Sequence, residues 1–101
     1  NEALAIAQKI KELGGGIVTS ENGLITGVLP FPIAGMLSNQ PAEILSKEIT
    51  EMNKILKKMG IETTSPITRP TTLALIVIPN TKMSDLGLID VKEQKIINLF
   101  N

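Results

Sequence analysis

Ser84 and Asp85 are the one polar cluster in this sequence with site-like chemistry, a hydroxyl beside a carboxylate. Short polar residues of this kind also cap helices and close turns, and their neighbours, Met83 and Leu86-Gly87, favour that use. Acid–base work by paired carboxylates would need two held together. The aspartates occur only at Asp85 and Asp90, five apart across an expected turn, and the glutamates fall mostly on helix faces. Arg69 is the only arginine. It could grip an anion in bidentate fashion, but between Pro66 and Pro70 it reads as a surface or carboxylate-pairing residue. No lysine lies within a clearly apolar segment, where its pKa would fall toward nucleophilic use.

Two absences narrow the chemistry further. The chain has no His, which excludes Ser-His-Asp triads, Cys-His pairs and most transition-metal sites within these residues. It has no Cys either, so it holds no disulfide or thiolate metal site, which fits a reducing compartment and a cytoplasmic location. No residue is therefore assigned a catalytic, cofactor-binding or metal-binding role. Gly14-Gly15-Gly16 resembles a phosphate cradle only superficially. Such a cradle precedes a helix N-terminus, and these glycines follow a helical pattern, where carbonyls face outward.

The positions that carry information are apolar instead. Leu29-Pro30-Phe31-Pro32-Ile33-Ala34-Gly35-Met36-Leu37-Ser38 runs nine residues without a polar side chain, yet contains two prolines and a glycine. Proline withholds a strand N–H and disfavours α conformation just before it, so this segment is neither a plain strand nor a long helix. The expected form is extended at Pro30 and Pro32, then one short helical turn over Ile33 to Leu37. Phe31 and Met36 are expected to be largely buried, in this core or against another domain.

Around it, residues 2 to 13 read as an amphipathic helix through Ala3, Ile6, Ala7, Ile10 and Leu13, with Asn1 as cap. The glycine triplet ends it. Ile17 to Ser20 and Leu24 to Leu29 flank Asn22-Gly23, a strong hairpin signal, and Gly27 marks a bulge or a close backbone approach. Pro41 to Met59 is the longest helix, with Pro41 in the first helical position and a stripe of Leu45, Ile49, Met52, Leu56 and Met59. Its glutamates and lysines read as a solvated face with pairs such as Glu43–Lys47. Ile61 to Thr72 reads as a loop or irregular edge. Leu73 to Ile78 is the most hydrophobic run and reads as a strand buried on both faces. Thr81 to Val91 reads as a capped turn and an extended piece, and Lys95 to Phe100 as an edge strand.

With 101 residues, 43% of them apolar, the sequence fits one domain or part of one, with no internal boundary. Ten basic and ten acidic residues cancel, and there is no Trp or Tyr. Both facts argue against a nucleic-acid partner, and the charge balance also argues against a membrane-surface helix. The aliphatic run is too short to span a bilayer. The expected fold class is α/β (α+β): two layers, with a small sheet built from the hairpin, the Leu73 strand and the tail, covered by two main helices. A start at Asn1, almost directly in a helical pattern, is expected of a piece of something longer.

In combination, several blocks resemble the C-terminal domain of bacterial and archaeal adenine deaminases of the amidohydrolase superfamily. They are Leu13-Gly14-Gly15-Gly16-Ile17-Val18, the Leu29–Ser38 segment, Pro41-Ala42-Glu43, Leu73-Ala74-Leu75 with Val77-Ile78-Pro79, and Asp85 with Gly87-Leu88-Ile89-Asp90-Val91. The resemblance implies a hydrolytic deaminase of purine salvage that converts adenine to hypoxanthine and ammonia. In that chemistry a divalent metal, Mn, Fe or Zn, activates water. It also implies that the metal ligands lie in an upstream catalytic barrel domain, the partner of this segment, and that this segment alone is inactive. A homo-oligomer is a further expected partner. The resemblance points to Pro30, Phe31, Pro32, Gly35, Met36, Ser38, Arg69 and Asp85 as interface or pocket-supporting candidates. One departure stands out. The family carries aromatic and larger apolar residues where this chain has Ser65 to Thr72, which leaves a deaminase of another substrate open. From another class, the alternative is a free-standing, non-catalytic ligand-binding or oligomerisation module.

Overall fold

The computed structural model describes residues 2–100. The chain forms two compact units, one running to Ile67 and one beginning at Thr68. The described residues hold three helices and two small antiparallel sheets, so the class is mixed α and β.

In the first unit, α1 (Glu2–Leu13) is followed by β1 (Gly16–Glu21), β2 (Leu24–Pro30) and α2 (Ala42–Lys58). The helix α1 ends in a Schellman motif: Gly15 N–H donates to the Ile10 carbonyl and Gly14 N–H to that of Lys11. The expected cap Asn1 lies outside the described residues. The strands pair antiparallel around Asn22-Gly23, both at positive φ (53° and 83°), as a type I′ turn requires. The Glu2 carboxylate accepts a hydrogen bond from the Gly23 N–H and ties the start of α1 to the hairpin tip. Register shifts after Thr19, which faces Gly27 while Ser20 faces Ile25, so Thr26 is the extra residue of a bulge. Gly27 is also a close approach. A Cβ there would lie 2.8 Å from Ile55 Cδ1 and 3.2 Å from Met52 Cε. Both readings of that glycine hold at once.

The core of this unit is Leu29, Met52 and Leu56, with Ile17, Phe31, Leu45, Ile49, Ile61 and Ile67 packed around it. Pro41 serves as N-cap to α2 (φ −55°, ψ 145°), one position earlier than expected. A second Schellman motif closes α2: Gly60 N–H reaches the Lys57 carbonyl and Ile61 N–H that of Leu56. The apolar contact that accompanies this motif joins Ile61 to the core beside Leu56. The loop after it is held by Ile67 N–H donating to Asn53 Oδ1 at 2.9 Å, with Pro66 buried. Met59, the last residue of the expected stripe, is 51% exposed. The ion pair formed on α2 is Glu51–Lys54 at i,i+3, rather than Glu43–Lys47. Glu48 is not fully solvated as expected. Its Oε2 is sequestered and finds no hydrogen-bond partner among the described residues.

The second unit departs most from the sequence reading. Thr68 to Ala74 is a helix, α3, not an irregular edge leading into a strand. Pro70 is its third residue, within the first turn, where the missing N–H has no intrahelical carbonyl to bond. The Leu73–Ile78 run is therefore helix end and turns, with Leu73 70% and Val77 72% exposed. A six-residue apolar run looks the same in a strand and in a helix end, and periodicity could not separate them. The sheet here is β3 (Thr81–Ser84), β4 (Gly87–Asp90) and β5 (Lys95–Ile97) in sequential antiparallel order. The extended piece and the tail strand are thus present, the latter over Lys95–Ile97. In the first unit the hairpin sheet packs against the two main helices α1 and α2, as expected, but the Leu73 run adds no strand to it and the tail strand belongs to a separate sheet. Among the described residues no helix is long and apolar enough to cross a membrane.

Candidate functional site

The feature built with most care is the apolar segment that leaves β2. Its first half is strand and core: Pro30 closes β2, and Phe31 packs against the central cluster. The Phe31 N–H donates to the Gly15 carbonyl at 3.0 Å, so the α1–β1 junction holds the segment's start. Its second half is a tight hairpin, not the expected helical turn. Ile33 and Leu37 form an antiparallel bridge, with Ile33 N–H to the Leu37 carbonyl at 3.1 Å and Leu37 N–H back at 3.0 Å. Ala34 (φ 52°) and Gly35 (φ 72°) turn the chain in the left-handed region, which a right-handed helical turn excludes.

The hairpin is seated backbone on backbone. A Cβ on Gly15, whose φ is 132°, would lie 2.3 Å from Gly35 Cα and 2.9 Å from the Phe31 carbonyl oxygen. Only glycine fits that junction. The seating leaves Ile33 48%, Met36 57% and Leu37 61% exposed. Burial thus splits the expected pair: Phe31 belongs to the core, whereas Met36 projects to solvent. Pro32 is exposed, and Ser38 Oγ accepts the Gln40 N–H at 3.1 Å, steering the chain toward the Pro41 cap.

The structure therefore brings Pro30, Phe31, Pro32, Gly35, Met36 and Ser38 into one continuous feature of the first unit. Arg69 and Asp85 belong to the second. Arg69 is exposed on α3, and Asp85 is exposed in the β3–β4 turn. Ser84 acts as a turn former: its Oγ donates to the Gly87 carbonyl and accepts from the Leu86 N–H, both at 3.1 Å. Asp90 does similar work, its Oδ1 accepting the N–H groups of Lys92 and Glu93 at 3.0 Å. Asp85 lies in the turn before β4 and Asp90 at the far end of that strand, about 10 Å away at the rise of a strand. No carboxylate pair is assembled there. Among the described residues, no three His, Cys, Asp or Glu side chains are grouped to hold a metal ion. The residues present do not fit the divalent metal that the family resemblance implies.

Sequence reading missed one feature of the second unit. Ile76, Val77, Ile89, Val91 and Gln94 line an open apolar cleft of about 340 Å³. Ile76 and Val77 fall in the run that reads from sequence as a buried strand, so nothing in the pattern marks them as a wall.

Comparison with known proteins gives a consistent result. The family described as the adenine deaminase C-terminal domain matches residues 1–95. Relatives named adenine deaminase include that of Desulforamulus reducens, 37% identical over 91 residues, covering 90% of this chain and 16% of the relative. That of Dehalococcoides mccartyi is 36% identical over 90 residues, covering 89% and 16%. That of Archaeoglobus fulgidus is 36% identical over 95 residues, covering 94% and 17%. The chain thus spans only 16–17% of the length of these curated relatives.

Proposed function

This chain belongs to the adenine deaminase C-terminal domain family, and from that premise we propose that it is the C-terminal segment of an enzyme that hydrolyses adenine to hypoxanthine and ammonia. The observation that carries the reading is the match itself. It runs over nearly the whole chain, yet reaches only 16% of a relative such as that of Desulforamulus reducens. In this reading the divalent metal and its ligands lie upstream, in a catalytic domain that is the partner of this segment. The segment supplies stability and an interface and does no chemistry of its own. The absence of His and Cys from these 101 residues supports that division of labour. The setting is purine salvage in the cytoplasm.

The test begins with the reading frame upstream of Asn1. A frame that continues into a domain with histidines at strand ends is expected. The full-length protein, supplied with Mn²⁺, Fe²⁺ or Zn²⁺, should release ammonia from adenine, and the 101-residue chain should release none. A full-length protein inert toward adenine but active on another aminated heterocycle would reassign the substrate. Turnover by the short chain, free of host enzyme, would overturn its non-catalytic role.

A further inference from the structure

We infer that the Ile33–Leu37 hairpin is a docking knob whose occupant is the preceding part of the same polypeptide. This rests on the reading above that the chain is one segment of a longer enzyme, and it adds which surface faces the rest.

The knob is rigid. Ile33 exchanges two hydrogen bonds with Leu37, its carbonyl accepts a third from Met36 N–H, and Gly15 is packed beneath Gly35. Phe31 anchors its root in the core. The exposure of Ile33, Met36 and Leu37 is therefore built into the backbone and is not the product of a loose loop. A backbone held this way loses little conformational freedom when covered, which favours its use in an interface. Met36 adds an adaptable side chain of a type enriched in interfaces. Leu29 to Ser38 holds no charged residue, so the complementary surface is an apolar recess and not a charged one.

The choice of occupant follows from length. The match to the Desulforamulus reducens relative covers 16% of that protein, so most of such a polypeptide lies outside this segment. A surface on the same chain meets the knob at an effective concentration on the order of millimolar, far above that of a second copy in dilute solution.

The experiment uses the full-length protein with p-benzoylphenylalanine at position 36 and, separately, at position 37. A control carries it at Leu24, which is exposed beside the hairpin turn. Protein of natural isotope content is mixed with ¹⁵N-labelled protein before irradiation, and adducts are mapped by mass spectrometry. Adducts from positions 36 and 37 to upstream peptides of the same molecule, several-fold above those from position 24, are expected. Mixed-label adducts would make a second copy the occupant and overturn the proposal, and so would a lack of adducts. Adenine turnover is measured on the same samples. Turnover without adducts removes the docking proposal alone. Adducts without turnover remove the deaminase reading and leave the docking in place.

Discussion

Two glycines that look alike in the sequence do different work, and mutation separates them. At Gly15 an added Cβ meets main chain, Gly35 Cα at 2.3 Å, and φ is 132°, a region where L side chains are strained. Main chain cannot step aside as a rotamer can. Gly15→Ala is expected to destabilise the fold by about 3 kcal/mol and to unseat the 33–37 hairpin. At Gly27 the nearest atoms are side-chain ends, Thr19 Oγ1, Ile55 Cδ1 and Met52 Cε. Two of them can swing away, and Thr19 Oγ1 can do so by loosening its 3.0 Å hydrogen bond to Thr26. Gly27→Ala is expected to cost about 1 kcal/mol. Urea denaturation of both variants decides the matter, and equal losses would show that the Gly15–Gly35 contact is not rigid. Sequence reading anticipated the helix-ending role of the glycine triplet but not this seating, because the partner at Gly35 is twenty residues away and only the fold brings it near.

The elements divide into those the pattern reveals and those it hides. The first helix, the hairpin and the long helix were legible because each carries its own local signal: a 3.6-residue apolar stripe, an Asn-Gly turn, glycines after helix ends. Leu29 and Met52 lie where the hairpin and α2 meet, at 0% and 2% exposure. Truncating either to Ala is expected to cost about 2–5 kcal/mol, read as a fall in urea midpoint with an unchanged slope. The Leu73–Ile78 run misled for a physical reason. Its composition is that of a buried strand, but Pro70 sits in the first turn of α3, where a helix tolerates it. Leu73→Ser therefore tests the revised element. At 70% exposure it is expected to shift the stability of the isolated chain by no more than about 0.5 kcal/mol. A loss of core size would restore the buried strand. Of the candidate site, the segment 29–38 was legible as a feature, since prolines inside an apolar run fit no regular element. Its hairpin form was not, because it needs Ala34 at positive φ, a conformation alanine rarely adopts without tertiary support.

For the molecule as a whole, the decisive quantity is surface. In the first unit Ile33, Met36 and Leu37 leave 48%, 57% and 61% of their surface exposed, on one short hairpin. Among the described residues the cluster of buried apolar side chains is small, Leu29, Met52 and Leu56, so covering that surface should matter to stability. Amide hydrogen exchange in α2 measures this directly, because Met52 and Leu56 lie on that helix and its protection follows the opening of the core. Protection in the full-length protein is expected to exceed that in the 101-residue chain by about tenfold or more, equivalent to about 1.4 kcal/mol. Equal protection would mean that the rest of the polypeptide does not cover this surface, and the exposed Ile33, Met36 and Leu37 would then need an occupant outside the molecule.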